Sequence, residues 1–163
     1  MNTQKREYVR TAIFGIEDSL VSTTGLIAGL SVGTNNKSVV IIGGVVAIAV
    51  EAISMGAGEY ISDDSIEQAS KQVGGRSQAL KGGVIMLVSY FLAGLIPLLP
   101  VVFFVYPTSL YFSVVFALCG LFLLGYAKSK VLKTNPWRGA FKVAIVGGIA
   151  TALGIIVGLV FKI

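Results

Sequence analysis

FGIEDSLVSTTGLIAGL (residues 14–30) consists mostly of the Ile, Leu, Val, Gly and Ala that a lipid bilayer selects, yet Glu17 and Asp18 stand side by side inside it. A charged side chain at mid-membrane costs about 2.5–3.5 kcal/mol on insertion scales. The next apolar run carries two more acids, Glu51 and Glu59, the latter close to an end. Apolar residues at these positions would remove the penalty. Neither run holds an embedded Lys or Arg, so a salt bridge within the pair has no cation. The compensation is expected from protonation, water or a bound cation.

The rest of the chain agrees with a bilayer setting. Of its residues 55% are hydrophobic and only 13% charged, with a mean hydropathy of +0.84. Soluble domains carry about 25% charged residues, so this chain could not cover itself in water. It is read as one transmembrane domain over residues 1–163, with no separate soluble module. The polar start of the chain and the acids in its first apolar run make a poor signal peptide, so the N-terminus is expected to be retained. A single cysteine, Cys119, makes no internal disulfide. With no histidine and no paired cysteine, the usual zinc and copper sites are excluded. A metal here must be held by oxygen, with a thioether as the only softer donor. Cys119 itself reads as packing.

Five apolar runs stand out, at about 12–33, 38–61, 82–105, 108–127 and 140–161. Each approaches or exceeds the roughly 20 residues that cross the hydrocarbon core. Their backbone groups must pair internally, so all five are expected to be helices. The fold class is an all-α integral membrane protein. GTNNKS (33–38) and YPT (106–108) read as tight turns, KSKVLKTNPWRG (128–139) as a basic loop with an interfacial Trp137, and 62–81 as a short connection. Pro97 and Pro100 are expected to kink or end the third helix's regular part. All but Lys37 and Lys162 of the 13 basic residues fall on the side of the N-terminus and the two longer loops. The positive-inside rule then puts the N-terminus in the cytoplasm and the C-terminus outside. The net charge of +5 is thus a topology signal rather than a footprint for nucleic acid. Gly25, Gly29 and Gly33, and again Gly154 and Gly158, have the spacing that lets helices approach closely. Packing within one chain and a dimer interface both satisfy that pattern.

The acids have a geometry. Glu51, Met55 and Glu59 follow i, i+4, i+8 spacing and line one face. At 1.5 Å per residue, Asp18 lies roughly 12 Å from the cytoplasmic end of its helix, Met55 roughly 9 Å and Glu51 roughly 15 Å. Asp18, Glu51 and Met55 therefore share a level. Glu17 and Asp18 are about 100° apart and point in different directions. Asp18 shares its face with Ser22, Gly25 and Gly29. Carboxylates with one thioether suit Fe²⁺ or Mn²⁺ better than Ca²⁺ or Mg²⁺. Membrane carboxylates can also trade protons for metal ions, the physical basis of an antiporter.

At these residues the chain resembles the vacuolar iron transporter family. FGIEDSLVSTTGLIAGLSVG (14–33) and AISMGAGEYIS (52–62) are similar to its first two helices, whose pattern includes Asp-Gly-Leu and Ser-Met-x-x-Gly-Glu-Tyr. FLAGLIPLLP (91–100) resembles its third helix, and WRGAFKVAIVGGIATALGIIVGLV (137–160) its basic loop and last helix. The resemblance implies a homodimer that moves ferrous iron, often also manganese, out of the cytoplasm against protons, along a route near the two-fold axis. By motif it assigns Asp18 and Met55 to the metal pathway and Glu59 to the acid of Gly-Glu-Tyr. Ser19 departs from the pattern by replacing Gly. The connection 62–81 is also too short for the glutamate-rich metal-binding domain of eukaryotic members. There Asp63, Asp64 and Glu67 are candidates for a reduced vestibule, beside the plainer reading of a solvated helix end.

The expectation is a transporter rather than an enzyme. It carries Fe²⁺ or Mn²⁺ as substrate and holds no cofactor. Asp18 and Met55 are its main metal residues, Glu51 and Glu59 line the route, and Glu17 assists. A prokaryotic plasma membrane is expected, with a vacuolar membrane as the alternative. The rivals are a proton-coupled organic-cation exporter and a non-transporting assembly subunit.

Overall fold

The computed structural model describes residues 3–70 and 75–162. It contains five helices: α1 (Thr3–Thr34), α2 (Lys37–Ser70), α3 (Gly75–Phe103), α4 (Thr108–Val131) and α5 (Pro136–Val160). Each includes a segment long and apolar enough to cross a membrane. The helices outrun the apolar runs that announce them, chiefly at one end of the bundle. There α1 begins at Thr3 rather than near residue 12, and α2 continues to Ser70 rather than ending near 61. Hydropathy marks where hydrocarbon stops, whereas the i→i−4 ladder needs only the absence of a breaker. After Gly58 the next Gly or Pro is Gly74. Much of the connection expected at 62–81 is therefore helix, divided between α2 and α3.

Pro97 and Pro100 lie inside α3 without ending it. The hydroxyl of Ser113 on α4 donates to the Pro97 carbonyl at 2.6 Å. Lys37 donates through Nζ to the Val102 carbonyl at 2.8 Å, which supplies a partner at the C-terminal end of α3. The α1–α2 turn uses Asn35 at φ 45°, a conformation Asn tolerates. The Asn36 side chain caps the backbone N–H groups of Ser38 and Val39. Asn135 caps α5 in the same way, with Pro136 at the first helical position.

α1 is the central helix. It touches all four others, which surround it in the order α2, α3, α4, α5, and among the described residues α2 and α5 do not touch each other. α1 is also the least apolar of the five. Ser19, Thr23, Thr24 and Ser31 are buried on it. Ser19 donates to the Tyr90 carbonyl at 2.6 Å, which removes the cost of burying its hydroxyl. One apolar cluster joins α1 to α3, α4 and α5 through Leu20, Ala93, Ala117, Leu121 and Val143. A second joins α1 to α2 and α3 through Ile27, Val40, Ile48, Leu98 and Val101. Outward faces carry exposed Val, Ile, Leu and Phe, as lipid contact requires.

The glycine spacings are used within the chain. A Cβ on Gly25 would sit 3.1 Å from the Ala150 carbonyl oxygen, and one on Gly29 would sit 3.0 Å from that of Gly154. A Cβ on Gly154 or Gly158 would run into the carbonyl oxygen of Gly25 or Gly29. α1 and α5 are thus in backbone contact along both stripes. Of the two readings left open by the pattern, intramolecular packing is the one the structure adopts.

Candidate functional site

Two hydrogen bonds set the register of α1 against α2. Thr11 Oγ1 donates to Glu59 Oε1 at 2.6 Å, and Ser22 Oγ donates to Glu51 Oε2 at 3.3 Å. Thr11, Asp18 and Ser22 lie within about 40° of one another around α1. Glu59, Met55 and Glu51 form the matching stripe on α2. Asp18 lies between Thr11 and Ser22 on the α1 stripe, and Met55 lies between Glu59 and Glu51 on the α2 stripe. Asp18 is also within electrostatic reach of Glu51.

Asp18 also lies between the faces of α1 that meet α2 and α5. On the helix wheel it lies ~20° from Gly25, which packs on α5, and ~40° from Ser22, which bonds α2. Because α2 and α5 do not touch, Asp18 faces the seam between them and is only partly buried.

Glu51 is held by a third helix. The Tyr90 hydroxyl on α3 donates to the same Glu51 oxygen that Ser22 reaches, and the Ser22 and Tyr90 hydroxyl oxygens are 2.7 Å apart. The Tyr90 side chain is 1% exposed. This triangle fixes the Glu51 carboxylate and leaves its other oxygen free of protein donors among the described residues. Sequence reasoning missed Tyr90. A tyrosine in an apolar run reads as membrane packing, and only the α1–α3 contact turns its hydroxyl inward. Ser89-Tyr90 immediately before FLAGLIPLLP was the available signal.

Glu17 requires a correction. Its carboxylate forms an ion pair with Lys128 Nζ of α4 at 3.1 Å. The expectation that the acids lack a cation fails for this residue because the cation comes from a distant part of the chain, 111 positions away. Glu17 looks toward α4, away from the stripe that carries Asp18 and Met55. At the C-terminal end of the α2 stripe, Asp63 lies beside Glu59 and against Gly82 of α3, where a Cβ would sit 3.1 Å from Asp63 Oδ2. Asp64 accepts a hydrogen bond from Gln68 at 2.6 Å on its own helix and takes no part in that group. The side chain of Glu67 lies outside the described residues, as do Lys71 and the side chain of Arg76. Among the described residues no three Asp, Glu, Cys or His side chains converge closely enough to hold a metal.

The chain is thus a five-helix bundle of membrane-spanning length, with carboxylates and a thioether on the facing stripes of its first two helices. The model of the VIT family matches residues 9–79 and 66–159, and the chain belongs to that family. It is 27% identical to vacuolar iron transporter 1 of Arabidopsis thaliana, over 90% of this chain and 83% of the relative. It is 26% identical to vacuolar iron transporter 2 of Oryza sativa subsp. japonica, over 90% and 84%. Vacuolar iron transporter homolog 3 of Arabidopsis thaliana is 23% identical, over 93% and 82%. The first alignment extends over 207 residues and the last over 163. The first relative therefore carries inserted residues that this chain lacks, in keeping with the short connection between α2 and α3.

Proposed function

We propose that this protein exports Fe²⁺, and also Mn²⁺, from the cytoplasm in exchange for protons, as a homodimer in a prokaryotic plasma membrane. The observation that carries the reading is the pair of facing stripes, Thr11–Asp18–Ser22 on α1 and Glu59–Met55–Glu51 on α2, opening on the α2–α5 seam. Membership of a family whose relatives are named iron transporters supports metal as the cargo. The mixture of carboxylate and thioether donors favours a first-row divalent ion.

In this reading Glu59 and Asp63 attract the ion at the cytoplasmic mouth. Asp18 and Met55 bind it about two turns deeper, and Glu51, steadied by Tyr90 and Ser22, receives it next. One chain offers too few donors for a closed coordination sphere, and a second copy against the seam supplies the remainder. Each carboxylate that releases metal takes up a proton, which couples the two fluxes. Glu17, paired with Lys128, braces α1 against α4 and binds no metal.

The test is flux into proteoliposomes under an imposed pH gradient. Wild type is expected to move Fe²⁺ and Mn²⁺, Asp18→Ala to lose at least tenfold, and Glu17→Gln to keep most of the rate. Unchanged metal flux in Asp18→Ala would refute the site. Movement of an organic cation in place of metal would favour the exporter reading.

A further inference from the structure

All eight acids of the chain lie between Glu7 and Glu67, so no acid follows in α3, α4, α5 or the loops between them. The basic residues there have few internal partners. Among the described residues Lys128 takes Glu17, and neither Arg138 nor Lys142 makes an ion pair. These two sit one turn apart on the outward face of α5 and are both exposed. With Trp137, Phe141, Ile145 and Val146 they line one shallow cleft. The face opposite carries Ala140, Val143 and Gly147, which pack into the bundle.

The cleft is graded along the membrane normal. Trp137 and Arg138 occupy the first turn of α5, where an indole and a guanidinium sit at headgroup level. Trp137 is held there by rings on α4, with centroids 5.8 Å away at Tyr126 and 6.2 Å at Phe122. Lys142 starts about 6 Å deeper than Arg138, at 1.5 Å per residue, and reaches back toward the interface. Beyond it Ile145 and Val146, 59% and 46% exposed, offer only hydrocarbon contact. Two unpaired cations at headgroup depth above an apolar floor match a ligand with an anionic head and an aliphatic tail.

We propose that this cleft binds an anionic phospholipid, its phosphate between Arg138 and Lys142 and an acyl chain along Phe141, Ile145 and Val146. The site lies on the outer face of α5 and is independent of metal handling. Loss of either proposal leaves the other standing.

Trp137 is the only tryptophan of the chain, so its fluorescence reports on this cleft alone. The full-length protein is mixed in detergent micelles with phosphatidylglycerol or phosphatidylcholine, each brominated on its acyl chains. Half-quenching by the anionic lipid is expected at about tenfold lower mole fraction than by the zwitterionic one. In R138Q/K142Q the two curves are expected to coincide at the phosphatidylcholine position. Helical circular dichroism and metal flux should stay at wild-type levels, and Lys162→Gln, at the far end of α5, should keep the preference. Equal quenching by both lipids in the wild type would overturn the proposal, as would a tenfold preference that survives in R138Q/K142Q. Reversal of the anionic preference by glycerol phosphate, but not by sodium chloride of equal ionic strength, would assign the cleft to a soluble phosphate and also overturn it.

Discussion

Tyr90 sets the chemistry of Glu51 from a helix that carries no acid of its own. Its hydroxyl and that of Ser22 both reach Glu51 Oε2, but the Ser22 contact is long at 3.3 Å. The two donors are therefore unequal. A hydrogen bond to a charged group contributes about 1.5–3 kcal/mol, and a marginal one less. Tyr90→Phe, which keeps the buried ring, is expected to lower thermal stability in detergent measurably and to reduce metal uptake several-fold. Ser22→Ala should change both less. A Tyr90→Phe protein with wild-type melting and uptake would mean that Glu51 needs no anchor. The same scale explains why neighbouring acids part company. Asp18 and Glu17 are about 100° apart on one helix, so Asp18 meets the seam while Glu17 meets Lys128.

The element that organises the bundle is α1, and its glycines decide how close α5 can come. Where Gly25 and Gly29 meet Gly154 and Gly158, backbone lies against backbone with no room for a methyl group. Overpacking of a tight contact costs about 1–3 kcal/mol. Gly154→Ala is expected to lower the melting temperature of the purified protein by that equivalent. Gly148→Ala, six positions earlier on the same helix with nothing within 4 Å of the added atom, should stay within about 0.5 kcal/mol of wild type. Equal gains in the two variants would show that the better helix propensity of Ala, and not the α1–α5 contact, governs these positions. The consequence for function is mechanical. α5 is locked to α1, so the open side of Asp18 is bounded by a fixed wall at α5 and by the α2–α3 pair.

For the whole molecule, five spans require the two ends to lie on opposite sides of the membrane. In a Cys119→Ser background, Lys162→Cys is expected to react with an impermeant maleimide on intact cells and Lys130→Cys only after lysis. Reaction of both from the same side would remove one span and the proposed orientation with it. Much of this architecture is legible in the order of residues alone. Segment count, helical state and the bias of basic residues follow from the cost of burying unpaired backbone and charge in hydrocarbon, a cost that each stretch meets by itself. The stripes that carry Asp18 and Met55 were legible too, because helix rise and periodicity are fixed quantities. Three other features depended on contacts between residues far apart in the chain. Lys128 found Glu17 across 111 positions, Tyr90 found Glu51 across 39, and the glycine stripe of α1 met that of α5 rather than a second copy. Spacing within a helix says which residues share a face, but which neighbour that face meets is decided by how the helices pack. The sequence by itself determined a five-helix membrane protein with misplaced acids. Only the tertiary structure separated the acid that is paired from the one left open to the seam.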